Sequence, residues 1–542
     1  MNTRIKLIRA VPSVRVAAVL FAGVSCVVAA FPSMASEFIF QAVVPNSDGT
    51  SYCWTNTANW VGGVVPGYND TWVFDPGAGN TLAVTVPTRA GSLYYRFAGI
   101  KVKSGTVNFK SGTYLYANGS PTVLDVAEGA KVECNVTFDS FAANSSICKT
   151  GAGTFEAADY FGRDKSFGDV DIQEGRLQLG RNNGVKVVSM RIRDSATCAA
   201  YSYRNSLGNV HIDKGGKLRV KGGSSWVAVS NLTGEGDVVS DDGASYTDFR
   251  IAPNVDSVFS GTMSVPVRPK VMTNATARLI LGAGDVFAED MVVTGSKWLG
   301  FAPDVGTFAL GRYMADDGCP LNLEDTNGDP VTVRGGFYDN STVPHFKGSG
   351  NFLCVMSGYI RSSDVVTEMT GALGACSGAT LTIGNDTAAT WPDISGLGGF
   401  IVEDGTVALK NKNAEEAVVG GNSIFRSASC KFSATDGLRF GADSTVRFEV
   451  ATNGFNSGVV PISAPVITFD VTAALEADVA AYRAVEKKRS QLMLATASSS
   501  LVLPDEAVAA ANTRADGCKF VKSGNSLILE VFGTGGFIIT IY

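Results

Sequence analysis

Apolar and polar residues alternate along short stretches of this chain, and the alternating stretches come in pairs around a glycine. Ile100 and Val102 precede Gly105, and Val107 and Phe109 follow it. The same order holds for Leu124, Val126, Gly129, Val132 and Cys134, and for Val170, Ile172, Gly175, Leu177 and Leu179. It returns in Val210, Ile212, Gly215, Leu218 and Val220, and in Phe400, Val402, Gly405, Val407 and Leu409. A period of two puts one set of side chains on one face of a β-strand. A turn that tolerates positive φ lets the chain bend while the next strand keeps its apolar side facing the same way. A chain that bends repeatedly in this manner buries those faces by coiling around them, which predicts a β-solenoid rather than a row of β-sandwiches.

The spacing supports coils of roughly 20–25 residues. The glycines of the first two copies, 105 and 129, are one such coil apart, and those of the third and fourth, 175 and 215, are two apart. The pattern also fixes a register. Val170, Ile172, Leu177 and Leu179 should face inward with Val210, Ile212, Leu218 and Val220, while Asp169, Asp171 and His211 face out. A slip of one residue would invert every assignment.

The two ends read differently from the middle. Arg4, Lys6, Arg9 and Arg15 precede an uncharged, mostly apolar run over residues 16–31, and Ser33-Met34-Ala35 offers a cleavage site before Ser36. That layout predicts a signal peptide over residues 1–35. A spanning helix wants about 20 apolar residues, and lipidation at Cys26 fits its flanks poorly, so cleavage and a mature chain without a transmembrane segment are expected. Residues 36–95, with their tryptophans, are expected to form an N-terminal capping segment, and 96–465 the repeat region. Residues 466–542 read as a small α+β cap, with a strand over 466–471, a helix over 475–489, and further strands ending with 536–542. The expected architecture is all-β: a right-handed parallel β-helix, or β-solenoid, closed by that α+β cap.

Composition agrees. Hydrophobic residues make up 45% and charged residues 18%, which argues against disorder, and the 61 glycines suit many turns. Losing the four basic residues of the leader leaves 41 Lys and Arg against 51 Asp and Glu, a net charge of −10. Attraction to phosphate backbones is missing, and nucleic acid is not an expected partner. The cysteines left after cleavage are scattered, with no CxxC pair, and read as core fillers.

Candidate chemistry is sparse. His211 is expected on the solvent side of a strand and His345 stands alone after Pro344, without metal-ligand spacing. Asp325, Asn327 and Asp329 begin like a calcium loop, but Pro330 stands where glycine is required, so a hairpin turn at Asn327-Gly328 is favoured. Asp241-Asp242 and Asp316-Asp317 are adjacent pairs, whose members point to opposite faces of a strand. Asp169 and Asp171 share an outer face, where solvated charge explains them as well as acid/base work does. Trp54, Trp60 and Trp72 could stack on sugars, but their place before the first repeat favours a plug for the solenoid's end. No catalytic, cofactor-binding or metal-binding residue is assigned, and no cofactor is expected.

Trp54-Thr-Asn-Thr-Ala-Asn59-Trp60, followed by Pro66, Asp70 and Phe74, resembles the opening of bacterial autotransporter-associated β-strand repeat proteins. Lys149-Thr-Gly151-Ala-Gly153-Thr-Phe155 is similar to that family's K-x-G-x-G-T-L core, and Gly175-Arg176-Leu177 to its later half. Asn231-Leu-Thr-Gly234-Glu-Gly236 with Phe259-Ser-Gly261-Thr262 resembles a further family phrase. Phe155 and Arg176 depart from the usual residues, and copies beyond about residue 265 are degenerate. The resemblance implies a secreted or surface-exposed β-helical passenger, at or beyond a bacterial cell surface and its outer membrane, with no particular reaction. The C-terminal stretch is short of the eight strands of about 9–11 residues that a membrane barrel needs, so self-translocation is not expected. A structural or adhesive role is expected, with surface glycans or host and cell-surface components as partners. The alternative is a carbohydrate-active β-helix enzyme, a polysaccharide lyase or hydrolase.

Overall fold

A computed structural model describes residues 36–533, apart from segments at 87–94, 111–113, 159–160, 163–165, 180–184, 202–204, 222–225, 241–246, 265–266, 273, 283–291, 294–298, 314–319, 338–344, 361–367, 385–393, 395, 411–415 and 457. The leader, Cys319, Asp241-Asp242, Asp316-Asp317 and the strand expected over 536–542 lie outside the described residues.

The described chain is a β-solenoid of stacked coils with nearly all strands parallel. Its largest sheet holds twelve strands in chain order, from Glu37–Ile39 to Leu299–Phe301, and a ten-stranded sheet beside it runs from Ser51–Cys53 to Thr262–Met263. Shorter sheets form a third side: one from Arg96–Phe97 to Thr137–Ser140, one from Asn205–Ser206 to Val267–Val271. Further along, a nine-stranded sheet from Val292–Val293 to Ala474–Asp478 and a ten-stranded sheet starting at Gly358–Ile360 carry the stack onward.

Each coil lays its strand on the previous one in register. Ser189 stands opposite Asn209 and Val210 opposite Leu232, so these coils take 20 and 22 residues. The predicted register holds: Val170, Ile172, Leu177, Leu179, Val210, Ile212, Leu218 and Val220 are all buried, while Asp169 and His211 are exposed and Asp171 half-exposed. The alternating residues of the copies around Gly105, Gly129 and Gly405 are buried as well. Between the third and fourth copies lies one further rung, in which Leu177, Cys198 and Leu218 stack and the turn is made by Ser195 at φ 59°.

Glycine serves the stack in a second way. A Cβ on Gly371 would collide with the Gly350 carbonyl, one on Gly421 with Gly398, and one on Gly261 with the Gly236 carbonyl. At these corners successive coils approach too closely for any side chain.

The described residues of 36–95 belong to the same stack, since Glu37–Ile39 and Thr71–Phe74 are the first two strands of the largest sheet. The tryptophan motif folds back across the open edge: Val61 N–H donates to the Ile39 carbonyl and Gln41 N–H to that of Asn59, both at 2.9 Å. Trp60 and Trp72 are fully buried and Trp54 nearly so, packed with Phe40, Phe74, Phe97 and Phe109. They plug the end, as expected, and offer no surface for stacking sugars. Asn59, also fully buried, accepts from Val44 N–H at 2.7 Å and donates to the Val44 and Cys53 carbonyls.

The C-terminal cap is α+β, with its helices placed differently from the sequence expectation. Residues 475–489 divide between the strand Ala474–Asp478, where Leu475 stacks on Val446, and a short helix Ala480–Val485. The longer helix is Asp505–Arg514, and it packs on Ala474–Asp478 and Cys518–Ser523. Ser490–Val502 pairs antiparallel with Ser526–Val531, which pairs antiparallel with Cys518–Ser523. These are the two antiparallel strand pairings among the described strands, and they close the final sheet.

Candidate functional surface

Alternation sends every second side chain of the largest sheet to solvent, polar ones such as Asp169 and His211 beside apolar ones such as Val188 and Val258. Parallel register then aligns them in columns: Asp171, Arg191, His211 and Thr233 stand one above the next. Neighbouring rungs tie these groups together. Asp171 receives two hydrogen bonds from Arg193, at 2.8 and 2.9 Å. Asp213 receives Arg191 at 3.1 Å and lies 2.9 Å from His211 Nε2. Asp169 accepts from Ser189. The two aspartates and the histidine singled out from sequence therefore fall in one polar lattice.

His211 Nδ1 is 2.9 Å from Thr233 Oγ1, which completes a line from hydroxyl through imidazole to carboxylate. Nucleophile, base and orienting acid follow one another in that order in acyl-transfer enzymes. Sequence reasoning missed the line because Thr233 stands 22 residues from His211 and meets it through rung stacking alone. The local setting does little for chemistry. His211 is 46% exposed in its side chain, Asp213 is shared with Arg191, and the backbone N–H groups of these strands are used in sheet pairing rather than held for an oxyanion.

A second ladder runs on the nine-stranded sheet. Glu403 bridges Arg334 at 2.7 Å and Arg426 at 3.0 Å, and Arg426 continues to Glu449 at 3.2 Å. Arg278 grips Asp256 at 2.7 Å and holds its carboxyl below the usual range against the opposing effect of burial.

Inside the stack, Lys149 occupies an inward position beside Leu124 and Ile172 and is fully buried. Its Nζ donates to the carbonyls of Thr150, Gly151 and Glu174 at 2.7, 2.6 and 3.2 Å, clamping its own turn to the next. Burial lowers its pKa to about 8, opposed by Asp125 and Glu174. Seven of the eight described cysteines are buried, which matches their reading as core fillers, and burial pushes the Cys198 and Cys430 thiols up to about 12.

Residues 325–330 form the predicted hairpin turn. Glu324 and Pro330 make an antiparallel bridge, Gly328 has φ 88°, and the Asp325 carboxylate accepts the N–H groups of Asn327 and Asp329 at 2.7 and 3.0 Å. Its Oδ1 is thus used within the turn, while its Oδ2 accepts from the Asp304 N–H at 3.3 Å on the rung before. The His345 carbonyl accepts from Leu321 N–H at 2.7 Å, joining two strands. Among the described residues no group of three or more His, Cys, Asp or Glu is arranged to hold a metal, and no helix is long and apolar enough to cross a membrane. No family model, no curated protein and no solved structure matches the chain.

Proposed function

We propose that this chain is a secreted or cell-surface rod with a structural or adhesive role and no catalysis, of the passenger type that residues 54–262 resemble. The observation that carries the reading is the use of its outward carboxylates. Asp171, Asp213, Asp256 and Glu403 each hold an arginine, three of them from an adjoining rung, so the charges brace the rod. A polar, braced face suits glycans or other cell-surface components as partners. A glycan-array screen run beside a reducing-sugar release assay tests this, with binding and no release as the expected result. Release that disappears in Asp169→Ala or Asp171→Ala would replace the reading with a carbohydrate-active enzyme.

One arrangement favours that second reading, the Thr233–His211–Asp213 line. If it were catalytic, Thr233→Ala and His211→Ala would each abolish hydrolysis of an activated ester. The expected result is that neither changes a background rate.

A further inference from the structure

The twelve-stranded sheet stops at Leu299–Phe301. The next pass of the chain, Leu321–Asn322, pairs onward with Phe346–Gly348 and, among the described residues, is joined to the rung before it by the bridge between Phe301 and Asp325 and by the Asp304 N–H bonded to the Asp325 carboxylate. The two rungs part there, and a cleft of about 360 Å³ opens between them, its lining including Arg278, Gly300, Asn322, Glu324, Asp325 and Lys347. That volume lies at the lower end of small-molecule sites, roughly 300–1,000 Å³.

Gly300 marks the cleft. Leu299 and Phe301 are buried on either side of it, so Gly300 takes the outward position of its strand. Glycine inside a strand weakens it and marks a close approach of another backbone or a ligand. Two other strand glycines meet backbone: a Cβ on Gly168 would lie 2.5 Å from the Asn144 carbonyl, and one on Gly335 2.6 Å from that of Leu310. On Gly300 the nearest atoms would be Arg278 Cδ and Ile280 Cγ1, each at an ordinary 3.9 Å. Packing leaves this position room for a side chain, and the cleft lies over it.

The charges select a ligand. Glu324 accepts the N–H and hydroxyl of Ser349, each at 2.9 Å, and Asp325 accepts from its own turn and from the Asp304 N–H. Arg278 is held by Asp256. Lys347 has no carboxylate partner among the described residues. We propose that the cleft binds an acidic sugar, a uronic-acid unit of a glycan. Its carboxylate pairs with the Lys347 ammonium, its hydroxyls meet Asn322 and Glu324, and its ring lies over Gly300. The inference rests on the adhesive reading and names its ligand class.

Isothermal titration of the purified chain with an oligouronate and with a neutral oligosaccharide of equal length tests it. The oligouronate is expected to bind and the neutral sugar to bind at least tenfold more weakly. Gly300→Leu, which fills the cleft, should abolish binding, and Lys347→Ala should weaken it tenfold or more, both with unchanged melting curves. Gly300→Leu occludes the cleft without touching its charge, so Lys347→Ala remains decisive if the first variant misfolds. No binding by the wild type, or equal binding of both sugars, overturns the proposal. Binding intact in both variants overturns it too, while leaving an adhesive role elsewhere on the rod standing. Release of sugar fragments would instead overturn the adhesive reading.

Discussion

The two ends of this solenoid face the same problem and solve it with different materials. A stack of parallel coils ends in an open apolar core and an unpaired strand edge, which invites another chain to add on. At the N-terminal end side chains close the core: three tryptophans fill it, and the turn carrying Asn59 and Trp60 crosses the edge. At the C-terminal end the backbone does the work. The strands turn antiparallel, a helix contributes only Ala507 and Ala511 to the interior, and the edge strand Cys518–Ser523 shows solvent Lys519 and Lys522. Lysines on an edge strand discourage pairing with a second chain. The difference teaches that the first end depends on a few large side chains, the second on many small contacts.

The largest expected effect tests that contrast. Trp60→Ala removes a fully buried indole whose Nε1 donates to the Trp54 carbonyl at 2.8 Å, and should cost about 3–5 kcal/mol. Leu529→Ala, fully buried in the cap hairpin, should cost about 2–5 kcal/mol. Because each coil touches only its neighbours, the losses should stay local. Amide hydrogen exchange should show lost protection in Glu37–Ile39 and Thr71–Phe74 for the first variant and in Ser490–Val502 for the second. Equal loss at both ends from either variant would remove the contrast.

A smaller effect isolates the folded-back turn. Asn59→Ala leaves the Val44 N–H and two carbonyls without their side-chain partner, at about 1–3 kcal/mol. Thermal denaturation should show Asn59→Asp recovering at most the bond from Val44 N–H, because a carboxylate only accepts.

The asymmetry also governs what could be read from sequence. The plug was legible because tryptophan is rare and its spacing distinctive, and the repeat was legible because alternation survives in five copies. In the copy at Gly405 the positive φ sits on Asp404 at 45°, so the shape of the turn is kept while its glycine moves by one place. The later coils looked degenerate because what repeats there is a small residue at a corner, as at Gly350, Gly371, Gly398 and Gly421, rather than an alternation. The cap was misread for a physical reason. The alanines and charges of 475–489 favour helix, but Leu475 belongs to the stack over Val446, and the sheet overrides local propensity. The true helix had its start signals, Pro504 followed by Asp505 and Glu506, without an apolar stripe to draw attention. The Thr233–His211–Asp213 line and the cleft at Gly300 were invisible for another reason. Both arise from which residues the register sets opposite one another across a coil.

The smallest expected effect compares one carboxylate at each end. Asp48 accepts from the Ser51 hydroxyl and from the Ser51 and Thr50 N–H groups, which lower its pKa to about 2. Glu530 is lowered by hydrogen bonds from Gln491 and Arg489, the second part of an ion pair at 2.8 Å whose arginine is 66% exposed. Both folded values lie below the unfolded ones, so each group adds stability that is present above the unfolded pKa and lost as pH falls through the folded one. For Asp48 the window runs from about 4 down to about 2. The causes differ, and salt separates them. Hydrogen bonds from neutral groups are little screened, whereas an exposed ion pair weakens as the Debye length shrinks from about 10 Å at 0.1 M to about 3 Å at 1 M. Carboxyl carbon chemical shifts followed against pH should show the Asp48 midpoint unmoved by 1 M salt and the Glu530 midpoint rising toward its ordinary value. If both midpoints moved alike, the N-terminal carboxylate would owe its shift to charge, and the two ends would be electrostatically equivalent.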